Sequence, residues 1–328
     1  MQPAKILAMS ELRYHPFLRQ WVITATHRQD RTFFPPADYC PLCPTKPGGF
    51  PSEIPVESYD IAVFENKFPS LRTPSAVPDV VGTALMPVRP SDGVCEVVCY
   101  TQDHQGSFAQ LPLAQVRKLM RVWQHRYLDL GSRPEVEYVF IFENKGKEIG
   151  VTLSHPHGQI YAYPFIPPVL ALETEAERAH FEANGRPLMA DVLAEEIQDG
   201  RRIVWENETF VAWVPFFARY PYEVYVAPKM HRPSLKEMSL AELDDLGEGL
   251  LVITQKFDKL FGFSLPYIMA VHQAPAIPGH EHSWFHVEFY PPYRTAEKLK
   301  YLAGSEAGAG AFINDTLPEV TAGTLRNL

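Results

Sequence analysis

The sequence has few cysteines, no long apolar run and fewer basic than acidic residues. Four cysteines among 328 residues do not suggest the disulfide framework of a secreted scaffold. No apolar run reaches the roughly 18 residues of a membrane-spanning helix. The segment that starts at Met1-Gln2-Pro3 lacks the apolar stretch of a signal peptide. We therefore expect a cytoplasmic protein with no membrane partner.

The charge balance argues against one class of partner and leaves another open. With 30 Lys and Arg against 39 Asp and Glu, the formal net charge is −9. Binding to a nucleic-acid backbone needs a basic surface, so we expect no nucleic-acid partner. An anionic small molecule remains compatible with this balance if a few arginines are gathered at its site. The length suits two ordinary domains or one large domain.

The chain contains an internal repeat. Shifting the sequence against itself by 127 residues superposes two segments that each read as strand, turn, helix and two strands. The matched positions include Glu96 with Glu223, His104 with His231, and Gln159 with His286. A constant offset over roughly seventy positions favours two related halves over coincidence.

The hydrophobic periodicity predicts the elements of each half. Apolar residues at three- and four-residue spacing predict helices over Leu113–Gly131 and Ser239–Phe261, the second starting with a capping box from Ser239 to Glu242. The predicted strands are Val94–Thr101, Val136–Glu143 and Gln159–Tyr163, then Glu223–Pro228, Tyr267–His272 and Trp284–Tyr290. Residues 165–202 have no counterpart and are predicted to link the halves by helices. The fold class is therefore α+β, with an antiparallel sheet and packed helices in each half.

The motif Ser154-His155-Pro156-His157-Gly158-Gln159 carries the chemical signal of the chain. Proline fixes the backbone between the two histidines, and glycine lets an anionic group approach closely. A neutral imidazole can attack phosphorus and hold the transferred group as a phosphoramidate. A pair of structural, buried histidines is the alternative interpretation of this motif alone.

Two further groups of residues are candidate metal ligands. Cys40-Pro41-Leu42-Cys43 is compatible with a redox pair, half of a zinc site or coincidence, and His104 and His155 could complete a zinc site. In the second half, His286 and Glu288 share one face of a strand, and with His272 and Glu173 they could hold a harder cation. His280 and His282 are interpreted as loop residues, and Cys95 and Cys99 as buried small hydrophobic residues.

Taken together, these residues resemble the galactose-1-phosphate uridylyltransferase family, a branch of the histidine triad superfamily. The resemblance covers nearly the whole chain. It is carried by Arg13-Tyr14-His15-Pro16, His27-Arg28-Gln29-Asp30-Arg31, Cys40-x-x-Cys43, Val63-Phe64-Glu65-Asn66-Lys67-Phe68, Phe142-Glu143-Asn144-Lys145-Gly146, His155-Pro156-His157-Gly158-Gln159 and Phe289-Tyr290-Pro291-Pro292. It implies two histidine-triad-like halves, which we place at residues 1–165 and 166–328.

The resemblance also implies roles for individual residues. His157 would take a uridylyl group from UDP-glucose and pass it to galactose 1-phosphate, with Gln159 as its catalytic partner. Zinc would be bound by Cys40, Cys43, His104 and His155. The nucleotide and its phosphates would be contacted by Arg28, Arg31, Asn66, Phe68, Asn144 and Thr152, the last in place of a serine.

The second half carries the remaining implied roles. A second metal ion, iron or zinc, maps to Glu173, His272, His286 and Glu288. Glu288 replaces a histidine of the family, which leaves open whether the site keeps its metal, changes it or loses it. Lys300 and Glu306 map to sugar-phosphate contacts on a tail that crosses to the partner subunit, so the resemblance implies a homodimer.

Two other functions remain open on the sequence. An ADP-glucose phosphorylase or adenylyltransferase of the same branch would keep His157 but need a purine pocket near Asn66 and Phe68. A non-catalytic, zinc-stabilised nucleotide-binding protein would have no need of a nucleophile at His157. Gln159 favours transfer over hydrolysis, because an amide cannot relay a proton to water as a histidine could.

Overall fold

Most of the fold is built on one continuous antiparallel sheet. The structure, a computed structural model, describes residues 10–28, 39–49 and 51–328. In chain order its strands are β1 (Ser10–His15), β2 (Gln20–Ala25), β3 (Ala62–Glu65), β4 (Val88–Pro90), β5 (Val94–Cys99), β6 (Tyr138–Lys145), β7 (His157–Tyr163), β8 (Ile203–Glu206), β9 (Phe210–Trp213), β10 (Val224–Pro228), β11 (Tyr267–His272), β12 (His286–Tyr290), β13 (Tyr293–Thr295) and β14 (Lys298–Leu299). The α-helices are α1 (Leu113–Gly131), α2 (Pro168–Asn184), α3 (Leu188–Asp199), α4 (Leu240–Leu260) and α5 (Pro318–Arg326).

Nine of these strands form the main sheet, in the order β3-β5-β7-β6-β11-β12-β10-β9-β8. The first four belong to the N-terminal half and the other five to the C-terminal half. The halves join where β6 pairs antiparallel with β11, for example at Phe142 and Ala270. The sequence predicted a sheet for each half but not this junction. Nothing in the sequence of β6 or of β11 specifies which strand pairs with its free edge.

The internal repeat is present in the structure. The order β5-β7-β6 in the first half matches β10-β12-β11 in the second, and α1 and α4 occupy equivalent places in the chain. The predicted α+β class is confirmed. The first helix has the predicted bounds. The second begins at Leu240, capped by Ser239 with Glu242 in its first turn, and each predicted strand agrees to within two residues. Helices α2 and α3 fill the predicted linking segment.

Helices α1 and α4 cover one face of the main sheet. They pack against each other and against a core that includes Trp123, Phe257, Ile160, Met269 and Phe289. In β7, the alternate residues Gly158, Ile160 and Ala162 face this core, as the period of a strand requires. No helix within the described ranges is both long enough and apolar enough to cross a membrane.

The opposite face of the sheet is covered differently in the two halves. Leu12 and Leu71, from β1 and the segment before β4, pack on Tyr161 over the first half, where β1, β2 and β4 form a small separate sheet. Residues of α3 pack on Trp213 and Trp284 over the second half. The side chains of β7 that do not face the helices therefore point toward a partly covered surface, on which the candidate site lies.

Gly158 provides a test of how closely β7 packs on its helix-side core. A Cβ atom at this position would overlap the Tyr100 hydroxyl and lie 3.1 Å from the Phe142 carbonyl oxygen. We expect Gly158→Ala to lower the free energy of unfolding by about 1–3 kcal/mol, as overpacking does. Urea unfolding measures this, and Gly323→Ala, whose Cβ would meet nothing within 4 Å, is the control that should not destabilise.

A double variant tests whether the stability lost by Gly158→Ala comes from the contact with the Tyr100 hydroxyl. With Tyr100→Phe, the obstructing oxygen is removed and the nearest ring atom lies 3.1 Å from the added Cβ. Gly158→Ala/Tyr100→Phe should therefore lose less stability than the sum of the two single variants. Strict additivity would contradict the proposed steric conflict.

Candidate active site and metal centres

A cavity of about 590 Å³ lies on the sheet face opposite α1 and α4. It is bounded by β7, by the segment after β3 and by residues 149–153, and the chain folds back over it from Tyr39 to Leu42. Six of the residues that the sequence assigned to catalysis or substrate binding line it: Asn66, Phe68, Asn144, Thr152, His157 and Gln159. Below, this space is called the His157 cavity.

His157 is the first residue of β7, and its ring is oriented by the backbone two residues earlier. Its Nδ1 lies 2.7 Å from the carbonyl oxygen of His155. Because a carbonyl can only accept, Nδ1 carries the proton and Nε2 keeps its lone pair. Burial lowers the pKa of His157 below the usual value, although the hydrogen bond to His155 opposes this. The ring is therefore neutral at pH 7 and can act as a nucleophile.

The amide of Gln159 is oriented by two donors. Its Oε1 accepts from Nδ2 of Asn66 and from the hydroxyl of Tyr161, each at 3.3 Å. Asn66 is itself held because its Oδ1 accepts from the backbone N–H of Phe68 at 2.9 Å. With its oxygen engaged, Gln159 has its NH₂ group available to donate to a bound phosphoryl group.

Arg28 joins this network from outside the cavity. Its Nη1 donates to the carbonyl of Phe68 at 2.9 Å and to the Tyr161 hydroxyl at 3.5 Å. Arg31, which the sequence assigned to the nucleotide, lies outside the described residues. Tyr161 was missed by the sequence analysis, although its place two residues after Gln159 puts both on the same face of β7.

Cys40, Cys43, His104 and His155 converge beside the His157 cavity. Their donor atoms all lie within 4.8 Å of one another, as a shared metal ion requires. Sγ of Cys43 is 3.6 Å from Nδ1 of both histidines, and Sγ of Cys40 is 3.8 Å from Nδ1 of His155. Tetrahedral bonds of Zn–S and Zn–N length would separate sulfur and nitrogen by about 3.6 Å. These four residues therefore form a cluster that could hold a metal ion.

The ring of His155 is oriented for this role. Its Nε2 lies 2.7 Å from the Thr101 carbonyl and 2.9 Å from the Tyr59 hydroxyl, so Nε2 is protonated and Nδ1 faces the thiols with its lone pair. Burial, followed by the neighbouring Cys40, raises the pKa of Cys43 to about 11. A bound cation would favour the thiolate form of Cys43 at neutral pH. Cys95 and Cys99 are fully buried, as the sequence predicted.

Glu173, His272, His286 and Glu288 form the second cluster, between α2 and strands β11 and β12. Nδ1 of His272 is 2.8 Å from Glu173, and Nε2 of His286 is 3.2 Å from Glu288. The four donor atoms lie within 4.8 Å of one another. His280 and His282, by contrast, lie in the loop between β11 and β12, as expected.

An arginine that the sequence analysis did not single out contacts this second cluster. Nη2 of Arg219 lies 3.1 Å from Oε2 of Glu288. Burial opposes ionisation of Glu288, but His272, His286 and Arg219 together lower its pKa to about 2. Glu288 is therefore an anion that two imidazoles and a guanidinium surround.

Lys300 and Glu306 are not part of the His157 cavity of the same chain. The side chain of Lys300 is completely buried, 3.4 Å from Glu306, and also donates to the carbonyl of Ile313. Among the described residues that line the cavity, neither appears. The two residues thus hold the C-terminal tail in a closed loop within one subunit.

Comparisons with known proteins agree with the geometry of the site. The model of the galactose-1-phosphate uridyl transferase N-terminal domain matches residues 1–167, and that of its C-terminal domain matches residues 173–328. A galactose-1-phosphate uridylyltransferase of Thermotoga maritima is 43% identical over 322 residues, which cover 97% of this chain and 98% of that protein. One of Haemophilus influenzae is 32% identical over 96% of this chain and 93% of its own.

Solved structures show the same relationship. A uridylyltransferase structure matches with a TM-score of 0.87 and 33% identity over 97% of both chains. An ADP-glucose phosphorylase of Arabidopsis thaliana, at 22% identity and a TM-score of 0.72, covers 97% of this chain and 99% of its own and shares the fold alone. From its sequence and its fold, this chain belongs to the galactose-1-phosphate uridylyltransferase family.

Proposed function

We propose that this enzyme transfers UMP from UDP-glucose to galactose 1-phosphate and releases glucose 1-phosphate and UDP-galactose. The observation that carries the proposal is a neutral His157 whose Nδ1 is fixed by a hydrogen bond and whose side chain lines a cavity together with Gln159 and Asn66. The substrates follow from family membership, since the relatives are galactose-1-phosphate uridylyltransferases.

The reaction is a double displacement. Nε2 of His157 attacks the α-phosphorus of UDP-glucose, so a P–N bond forms as the P–O bond to glucose 1-phosphate breaks. A phosphate oxygen of galactose 1-phosphate then attacks the same phosphorus, which forms a new P–O bond and releases the imidazole. The His155 carbonyl stabilises the ring when attack makes it positive, because Nδ1–H donates to it throughout.

Gln159 suits this transfer for two reasons. Its NH₂ group can donate to the phosphoryl oxygens as their charge shifts, and a well-placed donor of this kind is worth about 3 kcal/mol. The leaving group is a phosphate and needs little protonation, so the site requires no strong general acid. Asn144 and Thr152 are proposed to donate to the same phosphates, with Arg28 and Arg31 supplying positive charge.

The base and ribose are proposed to lie against Asn66 and Phe68. Both line the cavity, and the hydrogen bond from the Phe68 N–H to Asn66 fixes the turn that presents them. An adenine nucleotide is the competing ligand, because an ADP-glucose phosphorylase shares this fold. The choice between the two bases rests on the shape of this part of the cavity.

We propose that the first metal cluster binds zinc. Two thiolates and two imidazoles are the ligands of many structural zinc sites, and four protein ligands leave no open position for substrate. Zinc would hold the residues on either side of the His157 cavity in place. A second ion, iron or zinc, is proposed at Glu173, His272, His286 and Glu288, whose nitrogen and oxygen donors suit both metals.

We further propose a homodimer in which each active site is completed by the partner's C-terminal tail, the segment that carries Lys300 and Glu306. The C-terminal tail and α2 expose large apolar side chains, among them Tyr301 at 72%, Leu172 at 74% and Leu317 at 67%. Such side chains gain free energy when a second subunit covers them. The Lys300–Glu306 pair would keep the tail in the shape that reaches the partner.

Covalent labelling tests the nucleophile and the nucleotide together. UDP-glucose labelled in its α-phosphate should transfer the label to the protein, and His157→Ala should remain unlabelled and inactive while its unfolding midpoint is preserved. ADP-glucose labelled in the same way should give little or no adduct. Labelling from ADP-glucose alone would favour the adenylyl alternative. An active His157→Ala protein would exclude the mechanism, and absence of labelling from either nucleotide would favour a non-catalytic binding protein.

Metal analysis tests the zinc site. The purified wild-type chain should contain zinc in the proposed Cys₂His₂ site, and Cys40→Ser/Cys43→Ser should lose this zinc because hydroxyls are poor zinc ligands. Cys95→Ala removes a buried thiol outside the cluster and should keep the metal. Zinc content unchanged by the double substitution would refute the assignment.

Subunit mixing tests the shared site. His157→Ala and Lys300→Ala chains should each be inactive, yet exchange of subunits should restore activity, because one site of each mixed dimer then has neither lesion. Random pairing in a two-fold dimer predicts recovery of about a quarter of wild-type activity. A mixture of His157→Ala with Gln159→Ala is the control, since both lesions lie in the same chain's part of the site and no site is restored. A monomer in solution, or no recovery on mixing, would contradict the shared site.

A further inference from the structure

The hydroxyl of Tyr59 lies beside the first metal cluster, at the nitrogen of His155 that does not face the thiols. Tyr59 is three residues before β3 and is half-buried. Its Oη is 2.9 Å from the Leu42 carbonyl, 2.8 Å from the Thr101 carbonyl and 2.9 Å from Nε2 of His155. One oxygen atom therefore contacts three separate segments of the chain.

These three segments carry all four candidate ligands. Leu42 lies between Cys40 and Cys43, and Thr101 is three residues before His104. The third contact is the ring of His155 itself. Within the described ranges, no regular secondary structure joins the Cys40–Cys43 loop to the other two segments, so Tyr59 links ligands that come from distant parts of the sequence.

The protons of this network can be assigned by elimination. Carbonyl oxygens only accept, so the Tyr59 hydroxyl donates to Leu42 or to Thr101. Nε2–H of His155 then donates to Thr101 at 2.7 Å and points toward the oxygen of Tyr59. This places the proton of His155 on Nε2 and leaves Nδ1 free toward the two thiols.

The same histidine connects the cluster to the nucleophile. The backbone carbonyl of His155 accepts from Nδ1 of His157, so a shift of His155 would rotate the ring that attacks phosphorus. Among the described residues that line the His157 cavity, Tyr59 does not appear. An effect of Tyr59 on the reaction would therefore pass through His155 rather than through contact with substrate.

We propose that Tyr59 is a positioning residue that fixes His155 as a metal ligand and, through it, the orientation of His157. This inference rests on the proposed zinc site. Partners of this kind around a metal site commonly change metal affinity by 10- to 100-fold when they are removed. The role depends on the hydroxyl and not on the ring, which packs beside Leu42, Ile54 and Cys99 in either case.

The test compares Tyr59→Phe with Tyr127→Phe in the full-length protein. Tyr127 also has a buried hydroxyl that donates to a backbone carbonyl, that of Ala274 at 3.2 Å, but this partner lies in none of the three segments that carry the ligands of the first cluster. Competition with a chromophoric chelator should show zinc bound about 10- to 100-fold more weakly by Tyr59→Phe and unchanged by Tyr127→Phe. With Co²⁺ in place of zinc, the visible absorption of Tyr59→Phe should shift, because the cobalt ion reports the orientation of its ligands.

Kinetics provide a second measurement. In protein saturated with zinc, Tyr59→Phe should lower kcat and leave KM for UDP-glucose unchanged. The residues that contact the substrate are intact, but the orientation of the His157 ring is no longer fixed. Replacing Tyr59 with 4-aminophenylalanine, which keeps a donor at the same place, should restore zinc affinity to within a few-fold. If Tyr59→Phe folds poorly, the 4-aminophenylalanine variant still tests the proposal. Weak zinc binding by the 4-aminophenylalanine variant would contradict the role of the donor.

The outcomes separate this inference from the zinc proposal. A wild-type chain that holds no zinc would overturn both. Zinc held by wild type and equally by Tyr59→Phe, with an unchanged cobalt spectrum, would overturn the role of Tyr59 and leave the zinc site standing. Equal weakening by Tyr127→Phe would show that the loss of any buried hydroxyl suffices and would also overturn it.

Discussion

The hydrogen bond from Nδ1 of His157 to the carbonyl of His155 is the contact on which the proposed chemistry depends. It selects the tautomer that leaves Nε2 free, and it ties the ring to a residue whose own side chain faces the metal cluster. Strand β7, which begins at His157, lies between β5 and β6. It cannot move without breaking the backbone hydrogen bonds to both neighbouring strands. The nucleophile is thus held by central backbone structure rather than by a loop.

The internal repeat explains why two polar clusters lie on the same face of the main sheet. At the offset of 127 residues, Gln159 corresponds to His286 and Tyr161 to Glu288, in strands β7 and β12. In the first pair, the Tyr161 hydroxyl and the Asn66 amide donate to the oxygen of Gln159, which leaves the NH₂ group of Gln159 available for the proposed contact with a phosphate. The second pair offers an imidazole and a carboxylate, which suit a cation. Equivalent positions in the two halves thus carry opposite electrostatic preferences.

The acidic net charge and an anionic substrate are compatible because positive charge is placed locally. Arg28 reaches the Tyr161 hydroxyl and the Phe68 carbonyl at the edge of the His157 cavity. In the second half, Arg219 is held by Glu288, so it compensates a buried carboxylate instead of serving a ligand. Lys67 also lines the cavity, but it is paired with Glu53 at 2.9 Å. The side-chain amides of Asn144 and Gln159 in the lining are neutral donors.

The sequence by itself determined the elements, the repeat, the family and six of the residues that line the His157 cavity, because periodicity and a dense motif are local properties of the chain. It could not determine the junction of β6 with β11, because the backbone N–H and C=O groups of either strand could form the same hydrogen bonds with another strand. Nor could it find Tyr59 or Arg219, whose roles come from contacts with residues 96 and 69 positions away. The closed tail loop around Lys300 was likewise decided by tertiary structure, because a buried lysine needs a partner carboxylate and a carbonyl that only the folded chain brings to it.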